Sequence, residues 1–154
     1  MGVITDAMKR VVDRQKLGYV ATVSPDGTPN LSPKGTVTVL DEDRIVFADI
    51  RSPGTVANLR VNPNVEINVV DPFVRKGYRF KGRAEVLFSG PEFTNLVSFL
   101  SGRGLSDAPR RVRAIVVVRV ESARPLVSPA YDHDTDEATM RSSWMRYYLA
   151  DENR

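Results

Sequence analysis

The segment Arg51-Ser52-Pro53-Gly54-Thr55 sets a cation, a hydroxyl, a proline and a glycine where an apolar run gives way to a helical pattern. A serine followed by proline marks a helix start, and a helix start carries N–H groups with no partner inside the helix. With the Arg51 guanidinium beside them, those groups suit a phosphate. Ser52 is predicted to cap the helix. Taken alone the segment is an ordinary helix start, and Lys34 turns the reading toward an anion. If the strand carrying Lys34 neighbours the run 44–50, its ammonium reaches the same point from the other side.

The elements that must position these groups are mostly strands. Residues 18–23 and 28–34 flank the turn signal Ser24-Pro25-Asp26-Gly27 and read as a hairpin; 36–40 and 44–50 follow around the turn Asp41-Glu42-Asp43. The stretches 65–69 and 78–86 alternate apolar and polar residues, and 113–120 is a β-branched run extended by 121–128. Four helices are expected. Thr5 caps the first, with Met8, Val11 and Val12 on its apolar stripe; the one opened at Ser52 stops before Pro63; another runs from Pro91 to Leu100. The last, over 134–150, is capped by Asp134 and carries Met140, Trp144, Tyr147 and Tyr148 on one face. Residues 71–77 and 101–109 are read as loops, the second a mobile one. In such a β-rich setting an anion site lies at the edge of a barrel, not in a doubly wound parallel sheet.

Composition narrows the function classes. One domain spanning 1–154 accommodates the 42% apolar and 27% charged content, and 22 Lys and Arg against 19 Asp and Glu give a mild charge spread along the chain. Neither nucleic acid nor a membrane is an expected partner, and a cytoplasmic location follows from the lack of a spanning run or signal pattern. Without cysteine there is no disulfide, thiolate metal site or cysteine nucleophile, so redox chemistry requires a bound cofactor. No Ser/His/Asp set, paired carboxylate motif or triphosphate loop is present.

The ordered pattern Gly18-Tyr19-Val20-Ala21-Thr22-Val23, Asp26-Gly27-Thr28-Pro29, Ser32-Pro33-Lys34, Arg44-Ile45-Val46-Phe47, Asn58-Leu59 and Asn62-Pro63-Asn64-Val65 resembles the flavin-mononucleotide-binding split-barrel family that includes pyridoxamine 5'-phosphate oxidase. The later run 82–86 followed by Gly90-Pro91-Glu92-Phe93 is similar to its small bacterial FMN-binding members. The resemblance implies a mainly β fold with flanking helices: a six-stranded antiparallel split barrel, homodimeric, with FMN at the interface. It implies that Ser32, Pro33 and Lys34 line one side of the cofactor, that Phe47, Ala48 and Asp49 run along the ring, and that Arg51, Ser52 and Thr55 surround the phosphate, with Asn58 on the helix after them. Several members place a Lys or Arg after the serine or threonine of the phosphate turn; Pro53 and Gly54 stand here instead, so the grip falls on Arg51, Lys34 and backbone N–H groups. The basic, tryptophan-containing C-terminal pattern of true pyridoxamine phosphate oxidases is missing.

The expectation is a flavin-dependent oxidoreductase acting on a small molecule, with unassigned catalytic residues because the cofactor supplies the chemistry. The alternatives are an FMN carrier or electron-transfer protein without its own substrate, or a deazaflavin- or haem-binding barrel. His133, the sole histidine, sits among Asp132, Asp134, Asp136 and Glu137 and is read as a solvated loop residue, with no metal expected. The aromatic stripe of the last helix is read as docking onto the barrel, the alternatives being a cover for a neighbouring subunit's flavin or the lining of a substrate pocket. Arg75, Lys76, Arg79, Lys81 and Arg83 form a basic face, solvated by default, with anionic-polymer binding as a rival.

Overall fold

The structure, a computed structural model, describes residues 2–150; Met1 and 151–154, the ends of the expected domain, lie outside the described residues. Seven antiparallel strands form one curled sheet in the order β2-β1-β5-β6-β7-β4-β3. They are β1 (Gly18–Val23), β2 (Pro29–Lys34), β3 (Thr38–Val39), β4 (Arg44–Asp49), β5 (Asn64–Asp71), β6 (Lys76–Leu87) and β7 (Ala114–Val127). The strand number is seven where six were expected. The segment predicted as 36–40 shrinks to the two-residue β3, whose flanks bend around β4.

Burial explains which strands alternate in sequence and which do not. The concave face encloses Val20, Phe47, Ile67, Phe80, Val116 and Val118, plugged by Val12 of helix α1 (Asp6–Gln15). On the opposite face of β4 and β7, Val46, Ala48, Ile115 and Val117 pack against Leu96, Val97 and Leu100 of helix α3 (Pro91–Gly102). Strands covered on both faces read as unbroken apolar runs; β1, β5 and β6, wetted on one face, alternate. Where β6 crosses β7, a bulge at Lys81/Gly82 brings the backbones together: a Cβ on Gly82 would sit 2.0 Å from the Arg119 carbonyl oxygen. Edge strand β2 carries Pro29 and Pro33, tolerated only at such a position, and both blunt the edge against further pairing.

Helix α2 (Pro53–Val61) follows β4 directly, and the short helix α4 (Ala108–Arg111) interrupts the expected 101–109 loop. Helix α5 (Glu137–Leu149) begins later than predicted. Asp134 sits in the left-handed region at φ 58° and ends the preceding 3-10 turn (Pro129–His133); Asp136 accepts the Thr139 N–H at 2.7 Å and is the N-terminal cap of α5. The aromatic stripe, expected to dock onto the barrel, packs instead against the β5–β6 turn and leaves Tyr147 and Tyr148 exposed. The Arg75 guanidinium lies 3.5 Å from the centre of the Trp144 ring, Phe73 packs edge-on to Tyr148, and Arg141 pairs with the buried Asp71 at 3.2 Å.

Candidate functional site

Strand β2 ends where the predicted anion site begins. Its alternation turns Asn30, Ser32 and Lys34 toward α2 and leaves Pro29, Leu31 and Pro33 exposed outside. Lys34 is only 5% exposed. Its Nζ donates to Ser32 Oγ at 2.6 Å and to Ser52 Oγ, bridging the strand to the start of α2. Asp49, at the end of β4 and equally buried, supplies the countercharge, and one of its oxygens accepts the Ser52 N–H at 2.7 Å. Burial pushes the Lys34 ammonium below its ordinary 10.5, with the Asp49 charge opposing that shift.

The predicted role of Ser52 is thereby corrected. Its backbone precedes α2 as expected, at φ −133° and ψ 59°, but the side chain makes no capping bond because Lys34 has claimed the hydroxyl. With Pro53 at the first helical position, the Gly54 and Thr55 N–H groups stand at an open helix start. Gly54 is exposed, and a Cβ there would meet nothing within 4 Å. Arg51 is exposed too and forms no ion pair among the described residues. One buried cation, one free cation and two open N–H groups thus surround the same helix end, an arrangement suited to a phosphate or another compact anion.

The remaining predicted residues divide by burial. Thr55 and Asn58 are buried on the inner side of α2. The Asn58 amide donates to Thr22 Oγ1 at 3.0 Å, and Asn30 donates to the same oxygen at 3.2 Å. Asn58 thus ties the helix to the β1–β2 hairpin and fixes the direction of its N-terminus. Phe47 lies fully inside the barrel core, and Ala48 offers its backbone, whose N–H donates to Thr36 Oγ1 at 2.9 Å. Thr22 and Asn30 were not singled out in the sequence. The signal for Asn30 was present in the two-residue period that it shares with Ser32 and Lys34.

Directly beyond Lys34, a cleft of about 330 Å³ opens between Gly35–Thr38, the end of α1 and the end of α3. Lys16 and Arg103 line it, Arg103 paired with Asp13 at 3.4 Å, and Leu105 closes one wall. The 101–109 segment borders this cleft through Arg103, Gly104 and Leu105, and none of the residues at the start of α2 lines it. His133 lies exposed on a 3-10 turn, away from this cleft.

Comparison with known proteins identifies the family. The family model described as pyridoxamine 5'-phosphate oxidase matches residues 4–125. HupZ of Group A Streptococcus is 30% identical, over 81% of this chain and 95% of that one, with a TM-score of 0.71. A putative pyridoxamine 5'-phosphate oxidase of Lactobacillus delbrueckii (21% identity, 80% and 95% covered, TM-score 0.67) and an FMN-binding protein of Syntrophomonas wolfei (16%, 79% and 84%, 0.65) share the fold. No curated protein matches the chain. With most of its length, every barrel strand but the last two residues of β7 and the whole anion cradle inside the matched region, the chain belongs to the pyridoxamine 5'-phosphate oxidase family.

Proposed function

We propose that this protein binds flavin mononucleotide, with the phosphate at the start of α2, and acts as a cytoplasmic flavin-dependent oxidoreductase on a small molecule. The observation that carries the reading is the Lys34 ammonium bonded to Ser52 at a helix start whose own side-chain cap is missing. Lys34, Arg51 and the Gly54 and Thr55 N–H groups would hold the phosphate. The backbone around Ala48 and the Ser32–Lys34 edge would orient the ring. The flavin, when bound, supplies the redox chemistry by accepting or donating a hydride equivalent.

What the chain contributes is binding and orientation. Asp49 supplies the countercharge to Lys34 and accepts the Ser52 N–H, and Asn58 aims the helix. No second copy is needed to form the anion cradle, but the outer face of β1 and β2 favours a homodimer. Leu31 is 65% exposed and Tyr19 44%, with Val23, Pro29 and Pro33 beside them. True pyridoxamine phosphate oxidation is not the activity proposed, since the C-terminal segment forms the α5 clasp on the β5–β6 turn.

An absorption spectrum after FMN addition and gel filtration tests the proposal. Near-ultraviolet and blue bands co-eluting at dimer mass support it, and a colourless protein that retains no flavin contradicts it. A flavin-loaded protein that exchanges electrons with a redox partner yet turns over no small molecule would instead be an electron carrier.

A further inference from the structure

The ladder places arginine opposite arginine. Arg79 is directly paired with Arg124, and Arg83 with Arg119, which is itself paired on its other side with Arg44. Directly opposite residues point to the same face, so Arg44, Arg119 and Arg83 form one row across β4, β7 and β6, with Arg124 and Arg79 in a second. At ordinary strand spacings, the first row spans about 10 Å and the second lies about 13 Å away. Like charges directly opposite each other destabilise a sheet. Carboxylates relieve part of the row: Asp41 holds Arg44, and Glu66 holds Arg79 and Lys81. Arg83, Arg119 and Arg124 form no ion pair among the described residues, and all are exposed.

We infer that this outer face of β6 and β7 docks an acidic protein surface. The face is broad and built on regular strands, unlike the concave sites that take small molecules. Glu66 of β5, Glu85 and Glu121 are interspersed among the cations, and Asp41, Glu42 and Asp43 line a cleft with Arg44 and Arg119. Carboxylates are the groups that already pair with Arg44, Arg79 and Lys81 on this face, so the carboxylates of an acidic protein surface can pair in the same way with the three guanidiniums left over. The inference stands on the register of the sheet and does not depend on the cofactor.

The test uses the full chain and fluorescein-labelled poly-L-glutamate as the probe, with single-stranded DNA of equal charge as the rival. The triple variant R83Q/R119Q/R124Q is compared with K9Q/R10Q/R14Q, which removes equal charge from α1. Expected are about tenfold weaker polyglutamate binding in the first variant alone, a similar loss on adding salt to the wild type, and a melting temperature raised by about 2 °C as the repulsion is relieved. The inference is overturned by equal losses in both variants, by tighter binding of DNA than of polyglutamate, or by a change of oligomeric mass in the first variant, which would make this face a self-interface. A melting temperature lowered by several degrees would also overturn it, assigning the arginines to packing.

Discussion

Helix α5 starts at Asp136, whose carboxylate accepts the Thr139 N–H at 2.7 Å, and α1 starts at Thr5, whose hydroxyl accepts the Met8 N–H at 3.4 Å. Helix α2 starts at Ser52, a residue type equally able to cap, yet its hydroxyl receives the Lys34 ammonium and caps nothing. The difference lies in the neighbours. Nothing charged is buried beside Thr5 or Asp136, while Ser52 sits between a lysine and an aspartate that are each 5% exposed. A buried cation needs acceptors more urgently than a helix start needs a cap, because the N–H of the exposed Gly54 remains free to meet water or an anion. The first two helix ends are closed by their own chains; the third is open and positively charged.

Substituting Lys34 gives the largest expected effects on this contrast. Lys34→Met leaves Asp49 buried without its cation, so chemical denaturation should show a loss of about 2 kcal/mol, and FMN affinity should fall by about tenfold or more. An unaltered dissociation constant would move the phosphate away from β2.

The same lysine sets a pH signature. Its folded value lies below the 10.5 of the unfolded chain, so between the two the unfolded chain binds more protons and stability rises with pH. Cofactor affinity should fall across that window as the ammonium is lost. Denaturant titrations at a series of alkaline pH values should show the stability rise in the wild type and its absence in Lys34→Met.

Smaller effects separate aim from grip. Asn58→Ala removes the bond from α2 to Thr22 and should cost about 1–2 kcal/mol in thermal or denaturant unfolding, leaving Asn30 as the donor to the Thr22 hydroxyl. Asp136→Ala should cost about 1 kcal/mol with FMN binding unchanged, whereas Ser52→Ala should change helix stability little, since no capping bond is lost. A full capping penalty at Ser52 would erase the distinction between the helix starts. Gly54→Ala should have effects of opposite sign, stabilising the free protein by about 0.5 kcal/mol through helix propensity and crowding an anion at the open N–H groups.

How far the sequence could be read depended on the range of the interaction. The Ser24-Pro25-Asp26-Gly27 turn, the alternation of β5 and β6 and the Pro53 and Pro63 limits of α2 are local signals, and the elements formed where those signals lay. The cradle was partly legible because Arg51, Ser52 and Gly54 are contiguous, while Lys34 entered through an assumed strand neighbour. In fact β2 and β4 lie near opposite ends of the sheet order; the curl of the barrel and the bond to Ser52 bring Lys34 to α2. The opposed arginines were half legible: 75–83 stood out as basic, but Arg119 and Arg124 joined them only through the register of β7, which the bulge at Lys81/Gly82 shifts. Capping was misread at Ser52 and Asp134 for a common reason. A cap is chosen by competition between neighbouring groups, and sequence spacing does not record which of them wins.

The most direct test of the central claim is the affinity of the wild type and of Arg51→Ala for FMN and for riboflavin, which differ only in the phosphate. The open start of α2 predicts that the wild type binds FMN about tenfold or more tightly than riboflavin and that Arg51→Ala narrows the gap by weakening FMN alone. Equal affinity of the wild type for the two flavins would contradict a phosphate site at Arg51–Thr55.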